Sequence, residues 1–169
     1  MKLYFLLLAS FVSISMIAQR LVSTHTTYQS GKYFYTIEIP MSFTKGTPKQ
    51  KNTDLLFQDS YGSSINSNVT DRLPQEYNIT AHYYNDGMLE RDMKSIFPNF
   101  NITYSEKTYV AGEKAFIYEY TGSHPSLKGI NCTFFKGNKV YVITCSAEKS
   151  SFNNYKPLFM KSIKSIKFK

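Results

Sequence analysis

The sequence predicts an α+β domain, an α/β/α sandwich whose central, mostly antiparallel sheet is flanked by helices on both faces. Three observations predict it. Strand-forming runs joined by short turns fill most of the chain, as antiparallel hairpins require. Two segments, one near the middle and one near the end, switch to helical spacing. The strongest strands are apolar on both sides: Phe116, Tyr118 and Tyr120 share one face of their strand while Ala115 and Ile117 share the other, and Tyr141 and Ile143 alternate with Val140 and Val142. A sheet wetted on one face alternates apolar with polar, so both faces of this sheet are expected to be covered by helices.

Taken in order, residues 1–18 read as a cleavable secretory signal peptide. Lys2 is the only charge before Arg20, a short apolar run follows, and Ala18 offers a small residue before the cut. The apolar run falls short of the roughly 20 residues that a membrane span needs, and no cysteine near the cut offers a lipid attachment point. The expectation is release into the periplasm or medium, with no transmembrane segment in the mature chain. Of 169 residues, 151 then remain, which suits one domain. Residues 19–31 are polar and without periodicity, and are expected to form a short extension ahead of a single domain over 32–169.

Within that domain a first strand is expected over 32–39, ended by Pro40, with a turn through Phe43 and a lysine-rich loop over 44–53. Residues 54–58 and 63–69 read as a hairpin about Ser60-Tyr61-Gly62. A separate helical turn is expected over 77–84. Asp86 is the candidate N-cap of a helix through Phe97, with Leu89, Met93, Ile96 and Phe97 as its apolar stripe. Strands over 102–110 and 114–120 meet at Ala111-Gly112, and strands over 130–136 and 139–145 meet at Gly137-Asn138, a pair suited to a tight hairpin. A last helix over 151–163 carries Phe152, Tyr155, Phe159 and Ile163, with Pro157 in its early turns, and 165–168 adds a short strand.

The two cysteines follow from the second hairpin. With Gly137-Asn138 as the loop, Cys132 lies opposite Ile143 and diagonal to Cys145. Diagonal neighbours stand roughly 7–8 Å apart at Cα, too far for an easy disulfide, so two buried thiols are favoured over a Cys132–Cys145 bridge.

The net charge is +8, or +7 once Lys2 leaves with the signal. Six lysines and no acid lie between Lys149 and Lys169. Lys156, Lys161, Lys164 and Lys167 are therefore the candidate residues of a basic contact surface. The plainer reading is a solvated helix face and a lysine-flanked edge strand that resists edge-to-edge pairing. No nucleic-acid partner is expected, because the lysines lack interleaved arginines and stacking rings.

Sites of chemistry are sparse. His25, His82 and His124 lack the spacing of a zinc site, and Asp54, Asp59 and Asp71 do not make a calcium loop. Ser146-Ala147-Glu148-Lys149 and Ser42-Phe43-Thr44-Lys45 both match a Ser-x-x-Lys pattern, but neither has the helical setting and companion motif that this chemistry needs. No catalytic residue, cofactor or metal site is assigned. Four Asn-x-Thr triplets, at Asn68, Asn78, Asn101 and Asn131, are read as chance in an Asn/Thr-rich surface.

One resemblance adds to this. Lys136-Gly137-Asn138-Lys139-Val140-Tyr141-Val142-Ile143-Thr144, Phe152, Tyr155-Lys156-Pro157-Leu158-Phe159 and Ser165-Ile166-Lys167-Phe168 resemble the C-terminal part of the PsbP-like superfamily. Tyr35-Thr36-Ile37-Glu38-Ile39-Pro40 with Phe43, and Gly112-Glu113-Lys114-Ala115, are similar to its opening strand and central hairpin. The resemblance implies the same sandwich and a non-enzymatic binding or accessory role. The first expectation is thus an exported accessory protein contacting a protein or envelope component. The alternative is a small-molecule or lipid carrier with a pocket between sheet and helix.

Overall fold

Aromatic and branched side chains at alternating positions drive the chain into two antiparallel sheets that share one core. The structure, a computed structural model, describes residues 25–72 and 88–169. The expected signal peptide and its cut, the helical turn over 77–84 and the cap Asp86 lie outside the described residues.

Strand β1 (His25–Gln29) pairs with β2 (Tyr35–Pro40), and β10 (Lys167–Phe168) pairs with the other edge of β2, making a small three-stranded sheet. The large sheet runs β3 (Thr44–Lys45), β4 (Thr53–Gln58), β5 (Ser64–Asp71), β9 (Lys139–Glu148), β8 (Leu127–Lys136), β7 (Glu113–Thr121), β6 (Asn101–Val110) from edge to edge. All of these pairings are antiparallel. Helix α1 (Met88–Ile96) precedes β6 and α2 (Phe152–Lys164) follows β9. The chain is an α+β fold built on a mostly antiparallel sheet.

The hairpins fall where their turns put them. Gly137 takes φ 57°, the left-handed value that a two-residue turn demands, and Lys136 pairs with Lys139 as the loop length requires. Cys132 stands opposite Ile143, and both cysteines are free, buried thiols. Several boundaries differ from expectation: the lysine-rich loop over 44–53 contains β3, and β8 and β9 extend to Leu127 and Glu148. The segment read as a polar extension contains β1, whose His-Thr-Thr-Tyr-Gln sequence sends only Tyr28 against the core. The strand expected from residue 32 begins at Tyr35, because Phe34 adopts φ 55° and turns the chain.

The main core lies between one face of the large sheet and a cover made of the small sheet and α2. Tyr35, Ile37 and Ile39 of β2 meet Ile65, Ile117, Ile130, Cys132, Phe134 and Ile143, with Phe152, Phe159 and Ile163 of α2. Phe159 has no solvent exposure, and burying one such ring stabilises the fold by about 2–3 kcal/mol. Helix α2 continues through Pro157.

A second cluster forms on the opposite face. Phe100, Phe116 and Tyr118 are buried there beneath Leu89 and Met93 of α1 and the following Phe97. Ile96, expected in the same stripe, is instead 67% exposed. Continuous burial on both faces holds for β7 from Ala115 to Glu119, whereas Asn66, Asn68, Asn131, Thr133 and Thr144 of the central strands are half-buried. Just after β7, Gly122 has φ 89°, and a β-carbon there would come within 1.7 Å of the Asn99 carbonyl oxygen. Only glycine fits that approach.

Candidate functional site

The four lysines singled out in the sequence do not act together. Lys156 turns toward the large sheet, where its Nζ lies 2.5 Å from Glu119 Oε1 and 5.4 Å from the Tyr104 ring centre. Glu119 is 4% exposed and is the one buried charged residue among those described. Its second oxygen meets Lys128 Nζ at 2.7 Å, and Lys128 also lies 4.6 Å from the centre of the Phe152 ring. Burial pushes the Glu119 carboxyl up, but the two ammonium groups outweigh it and hold the carboxyl below its ordinary value. It is therefore a carboxylate at neutral pH. It ties β7, β8 and α2 together and is unsuited to accept and release a proton near pH 7. Sequence reasoning missed this cluster; the available signal was a single acid inside the otherwise apolar run of β7.

The other three lysines border one surface. Because Tyr35, Ile37 and Ile39 face the core, Thr36 and Glu38 stand on the outer face of the small sheet, and exposed Phe34 lies in the turn just before them. On β10 the Phe168 ring packs among Tyr35, Phe134 and Tyr141, which turns Lys167 and Lys169 outward. Lys167 pairs with Thr36, the Lys169 backbone N–H donates to the Phe34 carbonyl at 3.1 Å, and Lys169 Nζ donates to Gln29 Oε1 at 2.8 Å. Lys161 Nζ reaches Glu38 Oε2 at 3.8 Å, and exposed Lys164 ends α2 beside it. Lys32 is exposed in the β1–β2 turn.

Phe34 closes that turn. The Ser30 N–H donates to the Tyr35 carbonyl at 2.9 Å and the Tyr33 N–H to Ser30 Oγ at 3.0 Å, which leaves residue 34 in the left-handed region at φ 55°. Glycine or asparagine is the usual occupant of such a position, and a side chain with a β-carbon costs roughly 1–2 kcal/mol there. The Phe34 ring is 65% exposed, so burial offsets only part of that. Its run Tyr33-Phe34-Tyr35 reads as strand, which is why the sequence did not single it out.

The remaining candidates stay apart. Ser146 Oγ is hydrogen-bonded to Ser64 Oγ at 2.9 Å, and Lys149 Nζ to the Pro125 carbonyl at 2.5 Å, so the Ser-x-x-Lys pair is not in contact. His25 lies in β1, His124 beside Ser126 in the β7–β8 connection, and His82 outside the described residues. Among the described residues no group of three or more His, Cys, Asp or Glu is placed to hold a metal ion, and no helix is long and apolar enough to cross a membrane. Burial pushes both cysteine thiols far above their ordinary range. Between sheet and α2, the rings of Phe43, Tyr155, Phe159 and Phe152 pack against one another.

No protein-family model matches the chain, and no curated protein matches it. Solved structures do. Cyanobacterial PsbP (CyanoP) of Synechocystis sp. PCC 6803 is similar with a TM-score of 0.66 at 15% identity, over 88% of this chain and 94% of that one. LpqN of Mycobacterium tuberculosis, involved in cell envelope biogenesis, is similar with a TM-score of 0.55 at 9% identity, over 85% of this chain and 90% of that one. A Pseudomonas aeruginosa protein of unknown function gives 0.51 at 12% identity, over 83% and 94%. The chain has a PsbP-like fold.

Proposed function

We propose that this chain is an exported, non-enzymatic accessory protein of the bacterial envelope, working by contact through the outer face of its small sheet. The observation that carries the reading is Phe34, an exposed ring held in a backbone conformation that disfavours it, at the edge of a lysine-rich strand face. Strain that the fold does not need points to use. Export rests on the character of residues 1–18 and places the protein in the periplasm or medium after cleavage near Ala18. Its likeness to LpqN, involved in cell envelope biogenesis, and to cyanobacterial PsbP supports an envelope accessory role. In the same reading the large sheet is flanked by helices on both faces, α2 over the main core and α1 over Phe116 and Tyr118.

A photo-crosslinking residue placed at Thr36, with a control at Lys94 on α1, tests the contact face in the producing cell. Adducts with an envelope component that form from position 36 and not from 94 are expected. Equal labelling from both positions, or none from either, sinks the reading.

A further inference from the structure

We infer that the outer face of the small sheet docks on an anionic lipid surface, with Phe34 entering the boundary between headgroups and acyl chains. This rests on the contact reading above and names the partner. Charge comes first. Lys161, Lys164, Lys167 and Lys169 border this face, and Glu38 is the one acid placed among them by the strand register, while Lys32 lies over the Tyr33 ring. Such an excess attracts anionic headgroups.

The kind of cation matters as well. All four are lysines, compact hydrated charges on flexible stems, where fixed recognition of a phosphate or carboxylate favours the planar fork of arginine. Their stems can lie along an interface while the ammonium groups stay in water. The face they border is a strand surface of Gln29, Thr36 and Glu38 rather than a cleft, which fits a fluid partner without fixed relief. Phe34 supplies the apolar element: its ring stands clear of the protein where the Lys169 backbone binds the Phe34 carbonyl, giving the apolar-plus-basic pairing of peripheral membrane binding. An acidic protein would need a pocket shaped for the ring as well as matching charge, whereas a bilayer accepts the ring without fixed relief.

Co-sedimentation with vesicles of phosphatidylcholine alone, and of phosphatidylcholine with phosphatidylglycerol, tests this. The wild-type chain and its variants are prepared in parallel with the same N-terminus. Binding to the anionic vesicles and not to the neutral ones is expected, weakening as salt screens the charge. Phe34→Gly should weaken it by roughly tenfold, and Lys167→Glu with Lys169→Glu by at least as much. The thermal midpoint of Phe34→Gly should equal or exceed that of wild type, showing that the loss is not unfolding.

The inference is overturned by equal binding to neutral vesicles, by binding that ignores Phe34→Gly, or by a clear fall in that variant's thermal midpoint. If vesicles are ignored while crosslinks from position 36 persist to an acidic protein, the lipid assignment fails and the contact reading stands. If those crosslinks are also absent, both fail.

Discussion

At the scale of single residues, the structure separates groups that stabilise the fold from one that does not. Glu119 belongs to the first kind. Its carboxyl is held below the ordinary value in the folded chain, so its contribution is present above the unfolded-state value and is lost as pH falls through the folded one. Glu119→Gln leaves Lys128 and Lys156 facing each other without the anion. It should cost about 1–3 kcal/mol near neutral pH, less than a fully buried pair because both lysines touch water. Denaturant titrations at several pH values should show this gap closing on acidification below the ordinary carboxyl range. Cys132 and Cys145 also serve the core. Neither should react with a thiol reagent until denaturant is added, when both should be titrated, and reductant should leave the intact mass unchanged. The cysteine geometry was legible in the sequence because a two-residue turn fixes every pair down the hairpin. The partners of Glu119 were not, because they come from a different strand and from α2, and periodicity carries no information across such distances.

At the scale of elements, packing decides what local pattern leaves open. The strands from β6 to β9 and helix α2 could be read from alternation, turn residues and apolar spacing. β1 could not, since a strand that lends one tyrosine to the core has no alternation to show. The α1 stripe was read one residue too wide, because Ile96 lies beyond the side that meets Phe100 and Phe116. Phe159→Ala should cost about 3–5 kcal/mol in a denaturant titration, since its ring is fully enclosed between α2 and the sheet. Gly122→Ala should cost about 2–4 kcal/mol by the same measure, because the added methyl meets the Asn99 carbonyl and the residue sits at φ 89°. Phe34→Gly, at the residue just before β2, should cost nothing.

At the scale of the whole molecule, two cores of unequal size share one sheet. The main core encloses α2 and the small sheet; the second holds α1 through Leu89, Met93 and Phe97, all partly exposed. Hydrogen exchange should therefore find α1 opening more readily than α2, with protection in α2 approaching that of β8 and β9. A frame recurring at 15% identity or less is set by burial pattern and strand order rather than by particular side chains, and this explains why the fold was more legible than the function. The proposed contact face, with its lysines and Phe34, belongs to a reading in which the chain is exported. The most direct test is the intact mass of the protein recovered from the exported fraction of a producing bacterium. A chain beginning at Gln19 is the predicted result; a chain in that fraction that keeps Met1 would contradict it.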